Sequence, residues 1–146
     1  MNIHLFVAGK PSLAYAQSAV TEYANRLKHY GRYEIHYLKA GPSDRVSAEL
    51  LKRSEGHFRI ALDERGSALS TAEWSDEFTT LALDHRIKNL AFLIGAADGH
   101  SRVLRSAADR IWQLSALTLQ HELALAVLLE QLYRVATLQR GEPYHR

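Results

Sequence analysis

The sequence predicts an α/β fold, a mostly parallel sheet flanked by helices, and three observations carry that expectation. Five short apolar runs alternate with stretches of helical periodicity. The stretches between them are long enough for the crossovers that parallel neighbours require. The 146 residues, 47% of them hydrophobic, can bury the core of one compact domain. No repeat, low-complexity tract or Pro/Gly/Ser linker divides residues 1–146.

Each element has its own signal. Ile3 to Ala8 is an apolar run closed by Gly9-Lys10-Pro11, a strand and its turn. Leu13, Ala16, Val20, Tyr23, Ala24 and Leu27 then fall at helical spacing. Tyr33, Ile35 and Tyr37 alternate with Glu34 and His36 as a second strand, and Asp44 is expected to cap a short helix stopped near Gly56. Phe58 to Leu62 is a third strand. Ser70-Thr71-Ala72-Glu73 has the form of a capping box, with Trp74, Phe78 and Leu81 on one face of the helix that follows. Leu90 to Ile94 is an uninterrupted buried strand, Ser101 starts a helix carrying Val103, Leu104, Ala107 and Ala108, and Ile111 to Leu114 is the fifth strand. The last helix runs from about His121 to Gln139.

Composition excludes several chemistries. There is no cysteine, hence neither a disulfide framework nor a thiolate nucleophile. His4, His36, His57 and His85 show no spacing of a metal site, and no metal is expected. The N-terminal apolar run is too short for a secretion signal and no run approaches membrane-spanning length, so a cytoplasmic setting without a membrane partner is expected. A net charge of +2 permits an anionic partner without demanding one.

Ligands of parallel sheets bind beyond the carboxyl ends of the strands. Three segments leave strands there: Asp63 to Gly66, Gly95 to His100, and Ser115 to Gln120. Gly95-Ala96-Ala97-Asp98-Gly99 is either an ordinary turn or a place where backbone amides approach a ligand. Leu114-Ser115-Ala116-Leu117-Thr118-Leu119-Gln120 suits the pocket of a flat purine, or else an irregular core segment. The last helix is apolar well beyond one stripe, which predicts a second cover and hence a two-fold homodimer. Glu130 and Arg134 form an i,i+4 pair, with Arg134 alternatively near phosphate. Tyr144, His145 and Arg146 gather a stacking ring, an imidazole and a guanidinium on a terminus that matters only if tied down beside the pocket.

In order and spacing, Ala61 to Gly66 with Leu69-Ser70, Ile94-Gly95 with Asp98-Gly99, Leu114 to Leu119, His121, Leu132-Tyr133-Arg134 and Pro143-Tyr144-His145-Arg146 resemble the RlmH family of SPOUT-class methyltransferases. Alternatives are a SPOUT enzyme acting on transfer RNA, or a relative binding RNA or the ribosome with little catalysis. The resemblance implies S-adenosylmethionine as cofactor, N3 of a pseudouridine in large-subunit ribosomal RNA as target, a C-terminal trefoil knot and an obligate dimer. Carried over, Leu62, Gly95 and Ala96 would line the cofactor with Leu114, Ser115, Ala116, Leu117, Thr118, Leu119 and Gln120. His121, Arg134, Tyr144, His145 and Arg146 would face RNA. His121 or His145 would serve as the base and an arginine, Arg134, would stabilise charge on the uracil ring. Three family features differ: Ala96 stands where a second glycine is usual, Gln120-His121-Glu122 replaces Pro-His-Pro, and Leu125 and Ala126 occupy the stretch where a family arginine is expected.

Overall fold

The computed structural model describes residues 1–146 and contains one five-stranded sheet with every neighbouring pair parallel. Along the chain run β1 (Asn2–Ala8), α1 (Ala14–Leu27), β2 (Tyr33–Leu38), α2 (Ser43–Arg53), β3 (Phe58–Ala68), α3 (Thr71–Leu83), β4 (Asn89–Ile94), α4 (Arg102–Ala107), β5 (Arg110–Gln113) and α5 (His121–Gln139). In space the strands lie in the order β2-β1-β4-β3-β5.

Strand parity sorts the core into two layers. Ile3, Leu5, Val7, Ile60, Leu90, Phe92, Ile94 and Trp112 face α1, α3 and α5. Their alternates Phe6, Ala8, Ala61, Ala91 and Leu93 face α2 and α4 through Val46, Leu50 and Leu104. β4 lies at the centre and is buried on both faces, which is why Leu90 to Ile94 carries no polar interruption. The aromatic rings of Trp74, Phe78, Phe92 and Trp112 form a cluster under α3, with the Trp74 and Trp112 centroids 4.9 Å apart.

Several details depart from the sequence expectations. Pro42, not Asp44, precedes the first turn of α2, and Asp44 lies inside that turn, where its charge meets the helix dipole without capping an amide. Ser70 accepts from the Glu73 amide at 3.1 Å, but Glu73 returns no bond, leaving half a capping box. Leu114 falls just outside β5. β3 does not stop at Leu62: after a four-residue bulge, Asp63 to Gly66, it pairs with β5 again, so that Leu62 and Ser67 both oppose Trp112. Gly66 permits this. A Cβ there would sit 2.6 Å from the Ile111 carbonyl oxygen.

The wide apolar surface of α5 has its cover within the chain. Leu125, Ala126, Leu128, Leu129, Leu132, Val135 and Ala136 are buried between the sheet, α1 and α3. The breadth of apolar surface that prompted the dimer expectation is therefore explained by a helix wedged between two others. Of the exposed large apolar side chains, Leu13, Tyr15, Leu117 and Leu123 lie at the head of α5 and of its neighbour α1, while Met1, Leu83 and Val103 are scattered elsewhere.

Candidate active site

The three strand-end segments converge. Together they wall a cavity of about 650 Å³ at the carboxyl ends of β3, β4 and β5, with His121 and Ala124 of α5 closing one side. That volume is in the range of small-molecule sites, about 300–1,000 Å³. Of the residues expected to hold a ligand, Leu62, Gly95, Ala96, Leu114, Ser115, Leu117, Leu119 and Gln120 line it. The side chains of Ala116 and Thr118 do not; both are exposed, on the outer side of an irregular loop. In that loop the Leu117 amide donates to Ser115 Oγ at 2.9 Å. The amides of Ala116, Thr118, Leu119 and Gln120 donate to no group of the chain, which leaves donors free for a ligand.

The bulge of β3 supplies a wall that the sequence marked only as a place to look. Asp63, its side chain 6% exposed, accepts both Nε and Nη2 of Arg65 at 2.9 Å and the Arg65 amide at 2.9 Å. The Arg65 guanidinium accordingly holds the Asp63 carboxyl below its ordinary value.

His100 was not singled out by the sequence, yet it forms the floor beneath Gly95. It is 5% exposed, and Nε2 donates to the Leu93 carbonyl at 3.2 Å, which leaves Nδ1 as an acceptor without a partner. Burial pushes the imidazole below its usual pKa, against the pull of Asp63. A Cβ on Gly95 would lie 2.7 Å from His100 Nδ1. Glycine is thus required at position 95 by the ring packed under it as well as by any ligand above.

The head of α5 accounts for the unusual Gln120-His121-Glu122. Gln120 caps its own helix, accepting the Leu123 amide at 3.0 Å and the Tyr15 hydroxyl at 2.9 Å. Glu122 caps a different helix. Its Oε1 accepts the amides of Ser12 and Leu13 at 2.5 and 2.9 Å, serving the start of α1, where Leu13 has no side-chain acceptor to offer. These bonds hold the Glu122 carboxyl below the usual range. His121 Nε2 donates to the Ala8 carbonyl at the end of β1, so Nδ1 keeps the lone pair.

The tail is tied down, but against the middle and carboxyl-terminal half of α5 rather than its head. Tyr144 donates to Glu130 Oε1 at 3.1 Å and packs edge-on to Tyr133. Glu130 also pairs with Arg134, whose guanidinium lies 4.8 Å from the Tyr144 ring and donates to His145 Nδ1 at 3.2 Å. Arg134 and His121 are 13 positions apart along one helix, or about 20 Å. Arg134, Tyr144, His145 and Arg146 therefore lie outside the cavity of their own chain.

One further cluster escaped the sequence reading. β1 and β2 are parallel neighbours, and their register brings His4, Glu34 and His36 together on the α2 face. The absence of metal-like spacing along the chain was no guide, because the pairing is between strands.

A parallel sheet with a cavity at its carboxyl ends, walled by a glycine turn and a loop leading into the last helix, is the architecture of an α/β ligand-binding domain. Over residues 1–145 the chain matches the family model described as "Predicted SPOUT methyltransferase". It is similar to ribosomal RNA large subunit methyltransferase H of Thermus thermophilus, 44% identical over all of this chain and 99% of that one. The protein of the same name from Deinococcus radiodurans is 41% identical over the same shares. This chain belongs to the SPOUT methyltransferases and, within them, to the RlmH family. A solved tRNA (m1G37) methyltransferase from Aquifex aeolicus shares the fold, with a TM-score of 0.58 at 16% identity, covering all of this chain and 75% of that one.

Proposed function

We propose that this chain is an S-adenosylmethionine-dependent methyltransferase acting on N3 of a pseudouridine in large-subunit ribosomal RNA, in the cytoplasm where ribosomes work. The observation that carries the reading is the convergence of three strand-end segments on one cavity, in a chain similar over its full length to proteins of that name. The cavity suits a donor of this type: it is large enough, it has apolar walls in Leu62, Leu114, Leu117 and Leu119, and its loop offers free amides at the cofactor edge. When bound, the cofactor supplies an electrophilic methyl group on its sulfonium.

The chain's own groups do the rest. Leu62, Gly95 and Ala96 would form one wall, and Leu114 to Gln120 the other, with the amides of Ala116 and Thr118 contributing where their side chains do not. The imide proton of the target must leave, and His121 is the better placed base. It stands at the cavity wall with Nδ1 unprotonated, whereas the Nδ1 lone pair of His145 is already engaged by Arg134. Asp63, locked by Arg65, holds the β3 wall in shape and takes no proton.

That Arg134, Tyr144, His145 and Arg146 lie outside the cavity of their own chain, with Arg134 about 20 Å along α5 from His121, supports a homodimer in which the tail of one copy meets RNA at the cavity of the other. The exposed Leu13, Tyr15, Leu117 and Leu123 beside the cavity supply apolar surface for that contact. The reading includes the trefoil knot that membership of the family implies.

The test is methylation of ribosomes from a strain lacking this gene, with purified protein and S-adenosylmethionine, read by mass spectrometry of the RNA nucleosides. One added methyl on a large-subunit pseudouridine is expected. Unmodified ribosomal RNA together with methylated transfer RNA would overturn the substrate assignment, and calorimetry without cofactor binding would overturn the enzyme.

A further inference from the structure

We propose that His4, Glu34 and His36 form a binding site for a single zinc-class divalent ion, separate from the active-site cavity. His4 Nδ1 and His36 Nε2 lie 3.0 Å apart, and Glu34 Oε2 lies 3.4 Å from the first and 3.5 Å from the second. An ion held about 2.0–2.1 Å from each of its tetrahedral ligands separates them by about 3.3–3.4 Å. The three atoms therefore already mark out one face of such a tetrahedron. The fourth position opens to solvent, since Glu34 and His36 are about a third exposed while His4 is nearly buried.

The surrounding groups set the ligating atoms. Asn89 Oδ1 can only accept, so His4 Nε2, 3.2 Å away, carries the proton and Nδ1 keeps the lone pair that a metal needs. Arg32 Nε holds Glu34 Oε1 at 2.8 Å, which turns Oε2 towards the histidines. His57 packs edge-on against His4, and Phe6 stacks on His36, so both rings are confined before any ion arrives. The nearby cations of Arg32 and Arg53 oppose a dication, and the single carboxylate only partly offsets them.

The ion would join β1 to β2, the edge strand of the sheet and one whose side chains are mostly half-buried. Its effect would be to staple that edge, by mass action on the folded state alone. The active-site cavity does not include these three residues, so the role is structural.

The experiment is titration of chelator-treated full-length protein with Zn²⁺ by calorimetry and with Co²⁺ by visible absorption, alongside His36→Ala, Asn89→Ala and the remote control His85→Ala. One ion per chain is expected, with a tetrahedral Co²⁺ spectrum. Saturable binding should be lost in His36→Ala, weakened roughly 10–100-fold in Asn89→Ala and unchanged in His85→Ala. In case a variant misfolds, Co²⁺ broadening of imidazole resonances in the unaltered protein gives a second reading, confined to His4, His36 and His57. Absence of saturable binding, equal binding by His36→Ala, or broadening at His121 or His145 instead would overturn the site.

Discussion

The contact between Gly95 and His100 can be tested by giving position 95 a methyl group. In Gly95→Ala the new Cβ would sit 2.7 Å from Nδ1 and 2.8 Å from Cε1 of the ring, well inside the roughly 3.5–4.0 Å of ordinary contact. The ring is 5% exposed and bonded to Leu93, so shifting it away costs that bond. Overpacking of this kind costs about 1–3 kcal/mol. His100→Ala alone leaves a hole and loses one hydrogen bond, but it also removes a buried atom without a partner, for a loss near ~2 kcal/mol. If the ring is what excludes the methyl group, the double variant should be no less stable than His100→Ala, a coupling of about 2 kcal/mol in its favour. Urea unfolding at pH 7.5, comparing midpoints at constant slope, reads this directly. Losses that simply add, to within about 0.5 kcal/mol, would refute the packing account and leave glycine required for a ligand or for the turn alone.

Because the His100 pKa is depressed by burial, the unfolded chain binds more protons than the folded one as pH falls through about 6.5. The contribution of this group is therefore complete well above that pH and declines as pH falls through and below it, by at most about 1.4 kcal/mol per pH unit. His100→Leu should show a shallower decline over that window in urea midpoints, and an unchanged slope would sink the assignment. Glu122→Ala removes the acceptor for the start of α1, so hydrogen exchange at Ser12 and Leu13 should quicken roughly tenfold while β4 stays protected. Unaltered exchange would mean that water replaces the carboxylate at no cost. His145→Ala or Arg146→Ala should lower methylation about a hundredfold and leave cofactor affinity within about twofold, consistent with a role at RNA; equal loss of both would place the tail on the cofactor instead.

Periodicity made the ten elements legible because each signal is local. Apolar alternation in β1, the unbroken β4 and the Ser70 start of α3 all depend on residues within one turn or one pleat. The bulge of β3 was not legible, since its cause, a glycine passing close to Ile111, is a contact between distant segments. The cavity was found through its three segments because strand ends in parallel sheets share one edge. His100 was missed for the opposite reason: nothing in Gly99-His100-Ser101 tells a buried ring from an exposed one. Glu122 stands in the first turn of α5, whereas its carboxylate accepts backbone amides beside α1, up to 110 positions earlier in the chain.

That last bond bears on the order in which the protein can form on the ribosome. α1 is made early, but the carboxylate that accepts the two amides leading into it arrives only when α5 has been synthesised, and that same helix provides the apolar ridge on which α1 rests. Until then α1 has a bare end and an uncovered face, and an isolated helix of 14 residues is marginal in water. The docking of α1 is thus tied to the synthesis of a residue 110 positions later in the chain.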